Sequence, residues 1–279
     1  MDIKASEVKA LREKTGAGMM ECKNALIASN GDAAQAEKIL KEKGLAAVEK
    51  RAGRATTEGL VLIKSDGKKA SMIELTCETD FVAKNDDFIA LADQILEASF
   101  TNSYNEVTAE LSSKVLELAT KIRENMALTR IVTLTAGPDE YIARYIHSDK
   151  KTGVLIMLKG DKGDVVSNKA VQDFAYDCCL HVAAFTPLYI NSEAVDKNYI
   201  QEQTDIFTKQ VAELDKPEQV KAGIVQGKIK KHLAEICFLE QPFVKDDKLS
   251  VSKKMDEVGA SAGGKLSLSR MVLFQLGVN

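Results

Sequence analysis

Ser71-Met72-Ile73-Glu74-Leu75-Thr76-Cys77-Glu78-Thr79-Asp80-Phe81-Val82-Ala83-Lys84-Asn85 decides how this chain folds, because the period of its side chains changes within it. Up to Glu78 they alternate, with Met72, Glu74, Thr76 and Glu78 on one side and Ile73, Leu75 and Cys77 on the other, the period of a half-buried strand. Beyond Asn85 the spacing is helical. Phe88, Ile89, Leu91, Ala92, Ile95 and Leu96 share a face, and Asn85, Asp86 and Asp87 supply a cap and negative charge for the helix start. The joint between the two is a place where a scaffold can direct a binding side chain without burying it. Phe81 has two readings there: a local core plug, as Phe is usually buried, or an exposed wedge for a partner.

Working outward, Gly59-Leu60-Val61-Leu62-Ile63-Lys64 and Ala70 to Leu75 flank Ser65-Asp66-Gly67-Lys68, whose Asp-Gly pair is a strong hairpin signal. A helix over 86–99, a second helix with Val115, Leu118 and Ile122, and a strand from Thr129 to Thr135 complete a unit that stops before Gly137-Pro138. The second half repeats the order. Tyr141 to His147 and Gly153 to Leu158 flank a polar turn, and a helix with Val171, Phe174, Ala175, Cys178, Val182 and Phe185 follows. Hairpin then helix in both halves points to two related α+β subdomains with antiparallel sheets. From about 192 to 236 the pattern is purely helical around Pro217, which is tolerated in a first helical turn and rare in an interior, so an antiparallel helical hairpin, or coiled coil, is inserted there. Leu266 to Leu276 reads as a strand returning to the second sheet.

Residues 5–43 read as three short helices. Gly16-Ala17-Gly18 turns between the first and second, Asn30-Gly31 closes the second, Asp32 opens the third, and Gly44 ends it. Adjacent Met19 and Met20 cannot both face one small core, so one of them is expected at the surface. Residues 45–54 read as a basic, alanine-rich connector with a solvated face. The domains are therefore 1–53, 54–137 and 138–279.

The chain of 279 residues carries 38 basic and 41 acidic residues, a formal net charge of −3. It lacks the basic footprint that phosphate-driven binding needs, so nucleic acid is a poor candidate for a direct partner. Five scattered cysteines without CxxC spacing fit a reducing cytoplasm. No window is long and apolar enough to span a bilayer and the N-terminus has no signal-peptide core, so a membrane is not expected as a partner either.

Two patterns imitate catalytic motifs. Gly259, Gly264 and Lys265 have phosphate-loop spacing, but Leu266 stands where Ser or Thr would ligate magnesium, and a flexible Gly-Ser loop is the better reading. Cys178 and His181 lie one helical turn apart, yet two ligands fall short of the roughly four that a zinc site takes. Three isolated histidines show no nucleophile and base pairing, so bond-making chemistry is not expected.

Four stretches together resemble the elongation factor Ts family. They are Leu11-Arg12 with Thr15 to Lys23, Thr79-Asp80-Phe81-Val82-Ala83-Lys84-Asn85, His181-Val182-Ala183-Ala184 with Pro187, and Gln241-Pro242-Phe243-Val244. The resemblance implies a three-helix ubiquitin-associated-like domain ahead of a duplicated α+β core. It also implies binding to the GTPase elongation factor Tu and promotion of GDP release. Partner contacts are then expected from Arg12, Met19, Met20, Thr79, Asp80, Phe81, Val82, Gly153 and His181, with the Asp80-Phe81 loop intruding near the partner's magnesium site. No cofactor is expected, since GDP, GTP and magnesium belong to the partner. A ubiquitin-associated-like adaptor that binds a protein without exchange would explain the first domain but leave the duplicated core unused, and an enzyme with an unrecognised site is the third class.

Overall fold

The computed structural model describes residues 3–278. Local chemistry sets the N-terminal corners. Helix α1 (Ala5–Thr15) ends at Gly16, whose left-handed backbone, φ 67°, returns its N–H to the Arg12 carbonyl. Helix α2 (Met19–Ala28) starts where the Glu21 carboxylate accepts the Gly18 N–H at 2.9 Å. Asp32 caps α3 (Ala33–Arg51), accepting from Ala34 and Gln35 N–H at 2.9 and 3.0 Å. Val8, Leu11, Cys22, Ala25, Leu26 and Ala36 form the small core of these helices.

Gly44 does not end the third helix, and residues 45–51 are not a connector, because α3 continues to Arg51. A Cβ on Gly44 would lie 2.3 Å from Thr120 Cγ2, so this glycine marks a close approach of two helices instead of a stop. The second half of α3 carries Val48 into the core of the following unit. A boundary at residue 53 thus falls just after a helix that both cores share.

In the first subdomain, β1 (Glu58–Ser65) and β2 (Lys69–Cys77) pair about the Asp66-Gly67 turn, where Asp66 accepts the Lys68 and Lys69 N–H groups at 2.9 and 2.7 Å. After α4 (Asp80–Ala83), α5 (Asp86–Asn102) and α6 (Ala109–Ile122), β3 (Met126–Thr135) takes the free edge of β2. The second subdomain repeats this with β4 (Glu140–Ile146), β5 (Thr152–Gly160), α7 (Gly163–Ser167) and α8 (Lys169–Phe185). The chain then leaves through the antiparallel helices α9 (Lys197–Ala212) and α10 (Glu218–Ile236). It returns by a ribbon of β6 (Pro242–Phe243) and β7 (Asp246–Ser250), by α11 (Val251–Ser261), and by β8 (Leu266–Gln275), which pairs with β5.

The sheet orders are β1-β2-β3 and β4-β5-β8, antiparallel throughout. The duplication extends to a bulge. Glu74 and Leu75 pair with Arg130 and Leu128, leaving Thr129 extra, and Met157 and Leu158 pair with Arg270 and Leu268, leaving Ser269 extra. An arginine follows the extra residue in each half.

The two sheets pack face to face between outer helices. Leu60, Leu62, Ile73 and Leu75 face α5 and α6, while Val154, Ile156 and Leu158 face α8 and α11. On the inner faces Val61, Met72 and Leu134 meet Ile142, Leu155, Met157 and Phe274. β2 is therefore buried on both sides from Ala70 to Cys77, not half-buried as its alternation implied. Glu74 is 1% exposed in this setting; it accepts the Thr129 hydroxyl at 2.5 Å and pairs with Arg130. Arg130 donates to the Gln275 carbonyl at 2.8 Å and lies over the Phe274 ring, joining the sheets with a hydrogen-bonded charge.

Gly153 serves the same contact. A Cβ there would stand 2.6 Å from Val61 Cγ1 and 2.8 Å from Met72 Sδ. Gly153→Ala is accordingly expected to overpack the interface and lower folding stability by about 1 to 3 kcal/mol. Urea unfolding checks this, and an unchanged midpoint would contradict the close approach.

Candidate functional site

Helix α4 is a single turn, too short to hold itself together, so its environment must fix it. Val82 and Ala83 turn inward to the core beside α5. Thr79 caps the turn, its hydroxyl oxygen accepting the Val82 N–H at 3.4 Å. Phe81, between the buried residues and the cap, is 82% exposed. The core-plug reading is excluded by that exposure.

The joint is held from the end of α6. Arg123 takes a left-handed conformation, φ 70°, and turns the chain so that Glu124 and Asn125 lie beside Glu78 and Thr79. Glu124 accepts the Thr79 N–H at 3.1 Å and its hydroxyl at 2.7 Å, and Glu78 accepts the Asn125 N–H at 2.6 Å. Each segment thus offers a carboxylate to the backbone of the other. The Asn125 side chain also donates to the Ala52 and Arg54 carbonyls at 3.3 and 2.7 Å. The Asn125 N–H and then Arg54 hold the Glu78 carboxyl below its ordinary range. Asp80 lies 2.7 Å from Lys84 Nζ, and that hydrogen bond keeps its carboxyl low as well.

A second surface lies at the α1–α2 corner, where Arg12 is exposed in the last turn of α1. Met19 and Met20 are 45% and 65% exposed, so both methionines, and not one, stand clear of the small core. An ion pair from Glu21 to Arg123 ties this corner to the segment that holds Thr79. The expected contacts therefore gather in two places linked through residues 121–125. Val82, Gly153 and His181, also expected as contacts, are buried in this structure. Glu124 and Asn125 were missed by sequence reasoning, since no periodicity marks a carboxylate that reaches across 45 residues to Thr79.

A family model for elongation factor Ts matches residues 78–278, which include the Asp80-Phe81 turn, β3, the whole second sheet and the helical hairpin. The chain belongs to the elongation factor Ts family. It is 67% identical to elongation factor Ts of Treponema denticola over 278 residues, covering 100% of this chain and 99% of the relative. With that of Treponema pallidum strain Nichols the identity is 55% over 289 residues, covering both chains fully at 100%. With that of Borreliella burgdorferi strain B31 it is 38% over 276 residues, 99% of each.

The remaining family-like stretches of this elongation factor Ts chain, around His181 and around Gln241, meet at the buried His181 ring. His181 packs among Phe185, Phe238 and Phe243, its Nε2 lies 2.8 Å from Gln241 Oε1, and its Nδ1 accepts the Val244 N–H at 3.1 Å. The ring is therefore neutral with its proton on Nε2. Cys178 and Cys179 are buried with it, and burial pushes both thiols up, away from the nucleophilic thiolate. Among the described residues, no three His, Cys, Asp or Glu side chains are grouped as a metal site, and no helix is long and apolar enough to cross a membrane. Gly259 lies in the last turn of α11, while Gly264 and Lys265 lie in the turn that follows it, so the expected loop covers only residues 262–265 of the phosphate-loop spacing.

Burial lowers the His181 pKa from its ordinary 6.5. The unfolded chain then binds this proton at a higher pH than the native chain does. The contribution to stability is complete above about pH 6.5 and is lost as pH falls through that value towards the folded pKa. Thermal unfolding at about pH 7.5 and about pH 5.5 should show a larger fall in Tm for the parent than for His181→Gln. Equal falls would show that His181 does not carry the acid sensitivity.

Proposed function

We propose that the chain binds the GTPase elongation factor Tu in the cytoplasm and promotes release of its GDP, with the Asp80-Phe81 turn intruding near the partner's magnesium site. The observation that carries this reading is Phe81, a large apolar side chain 82% exposed on a turn whose neighbours are anchored in the core. An exposed aromatic on a rigid support is pre-organised to enter a partner, because little ordering remains to be done on binding. Arg12, Met19 and Met20 give a separate grip, so the chain can stay docked while the turn acts.

Exchange needs no bond-making group on this chain. A factor that binds the GTPase better without nucleotide weakens the nucleotide by the same factor. Each tenfold loss of GDP affinity requires about 1.4 kcal/mol of differential binding. Burying one Phe is worth roughly 1.5 to 3 kcal/mol, enough for one or two such decades when the contact forms in the nucleotide-free complex. Nucleotide and magnesium belong to the partner. Thr79 and Val82 hold the turn, Asp80 orients it or meets the partner, Gly153 admits the close contact of the two sheets, and His181 supports a separate surface of the second subdomain.

Release of labelled GDP from purified elongation factor Tu tests the reading. Phe81→Ala should leave the melting curve within about 0.5 kcal/mol of the parent, as for most surface substitutions. It should accelerate release about 10- to 100-fold less, the decades that its burial supplies. Asp80→Ala should follow with a smaller loss. A Phe81→Ala protein that exchanges nucleotide at the parent rate would remove the wedge, and a parent protein that binds elongation factor Tu without accelerating release would favour the adaptor.

A further inference from the structure

We infer that Glu124 is a positioning residue for exchange: its carboxylate, gripping both donors of Thr79, sets the direction in which Phe81 projects. This inference rests on the wedge reading of Phe81.

Three observations converge on Glu124. First, α4 has only four residues, Asp80–Ala83, and its own cap bond from Val82 to Thr79 is long, at 3.4 Å. Such a turn does not define its own orientation. Second, the shorter bonds of Thr79 go elsewhere, from its hydroxyl to Glu124 Oε1 at 2.7 Å and from its N–H to Oε2 at 3.1 Å. Charge-assisted bonds of this kind are stronger than neutral ones, and two from one residue fix its rotation as well as its position. Third, Glu124 is itself held: Arg123 before it is paired with Glu21, and the Asn125 N–H after it is taken by Glu78. The segment that carries the carboxylate is anchored on both sides of Glu124, and Thr79 is bonded to it.

Phe81 follows Thr79 by two residues, so a rotation of Thr79 swings the ring. Val82 and Ala83 would keep the turn attached to the core, and the aromatic would remain exposed but aimed elsewhere. Losing Glu124 should then resemble losing Phe81 in exchange while sparing the docking surface at Arg12, Met19 and Met20.

The test is a double-mutant cycle on GDP release, with Phe81→Ala, Glu124→Ala and the pair, each measured against a range of factor concentrations. Glu124→Ala should lower the maximal release rate by about tenfold, or about 1.4 kcal/mol, and shift the half-saturating concentration by less than about threefold. In the Phe81→Ala background the same substitution should change the rate by less than about twofold, since a residue acting through Phe81 has nothing left to position. The isosteric Glu124→Gln, which keeps one acceptor oxygen, should recover part of the rate; it also carries the cycle if Glu124→Ala does not fold. Multiplicative losses in the pair, or a loss confined to half-saturation, would overturn the inference. If Phe81→Ala itself exchanges at the parent rate, the wedge reading fails; if Phe81→Ala loses exchange and both Glu124 variants do not, the positioning role alone fails.

Discussion

The two sheets touch through their inner faces, and that contact is the constraint from which the rest of the structure follows. Val61 and Met72 on one sheet lie close enough to the other that position 153 has no room for a Cβ. With the inner faces occupied, α5, α6, α8 and α11 can cover only the outer ones. Glu74 is enclosed beside this contact and keeps Arg130 as its partner, and Arg130 reaches across to the Gln275 carbonyl of the other sheet, which favours one relative placement of the subdomains.

Central strands buried on both faces cannot tilt, and this rigidity passes to whatever leaves their ends. β2 leads directly into Glu78 and Thr79, where two carboxylates cross between neighbouring segments. The same segment meets the end of α3 through Asn125 and the α1–α2 corner through Arg123. A four-residue helix carrying an exposed aromatic is thus joined to both subdomain core and N-terminal helices. The arrangement accounts for how a side chain that gains nothing from burial at home can be kept in one direction.

Much of this was legible along the chain. The change of period after Glu78, the Asp66-Gly67 turn, the Asp32 cap and the antiparallel pair around Pro217 all appear where their residues place them. The duplication read from hairpin-then-helix order is reinforced by matching extra residues, Thr129 and Ser269. Glycine was the unreliable sign. Gly44 reads as a stop and Gly259 as a loop residue, yet both lie inside helices, at places where another part of the chain comes close. Val251 and Met255 are four residues apart and mark the buried face of α11, an element absent from the sequence-based expectation.

By itself, then, the sequence determined most of the elements, their order, the repeated subdomain and the family, because caps, turns and apolar period act within a few residues of one another. Tertiary structure decided which faces were covered, whether a glycine ended a helix or admitted a neighbour, and whether Phe81 pointed in or out. Those outcomes depend on contacts between residues such as Gly153 and Val61, or Glu124 and Thr79, that are distant along the chain and adjacent only after folding. A side chain's type states what it would cost to bury it; only the packed neighbours settle whether that burial occurs.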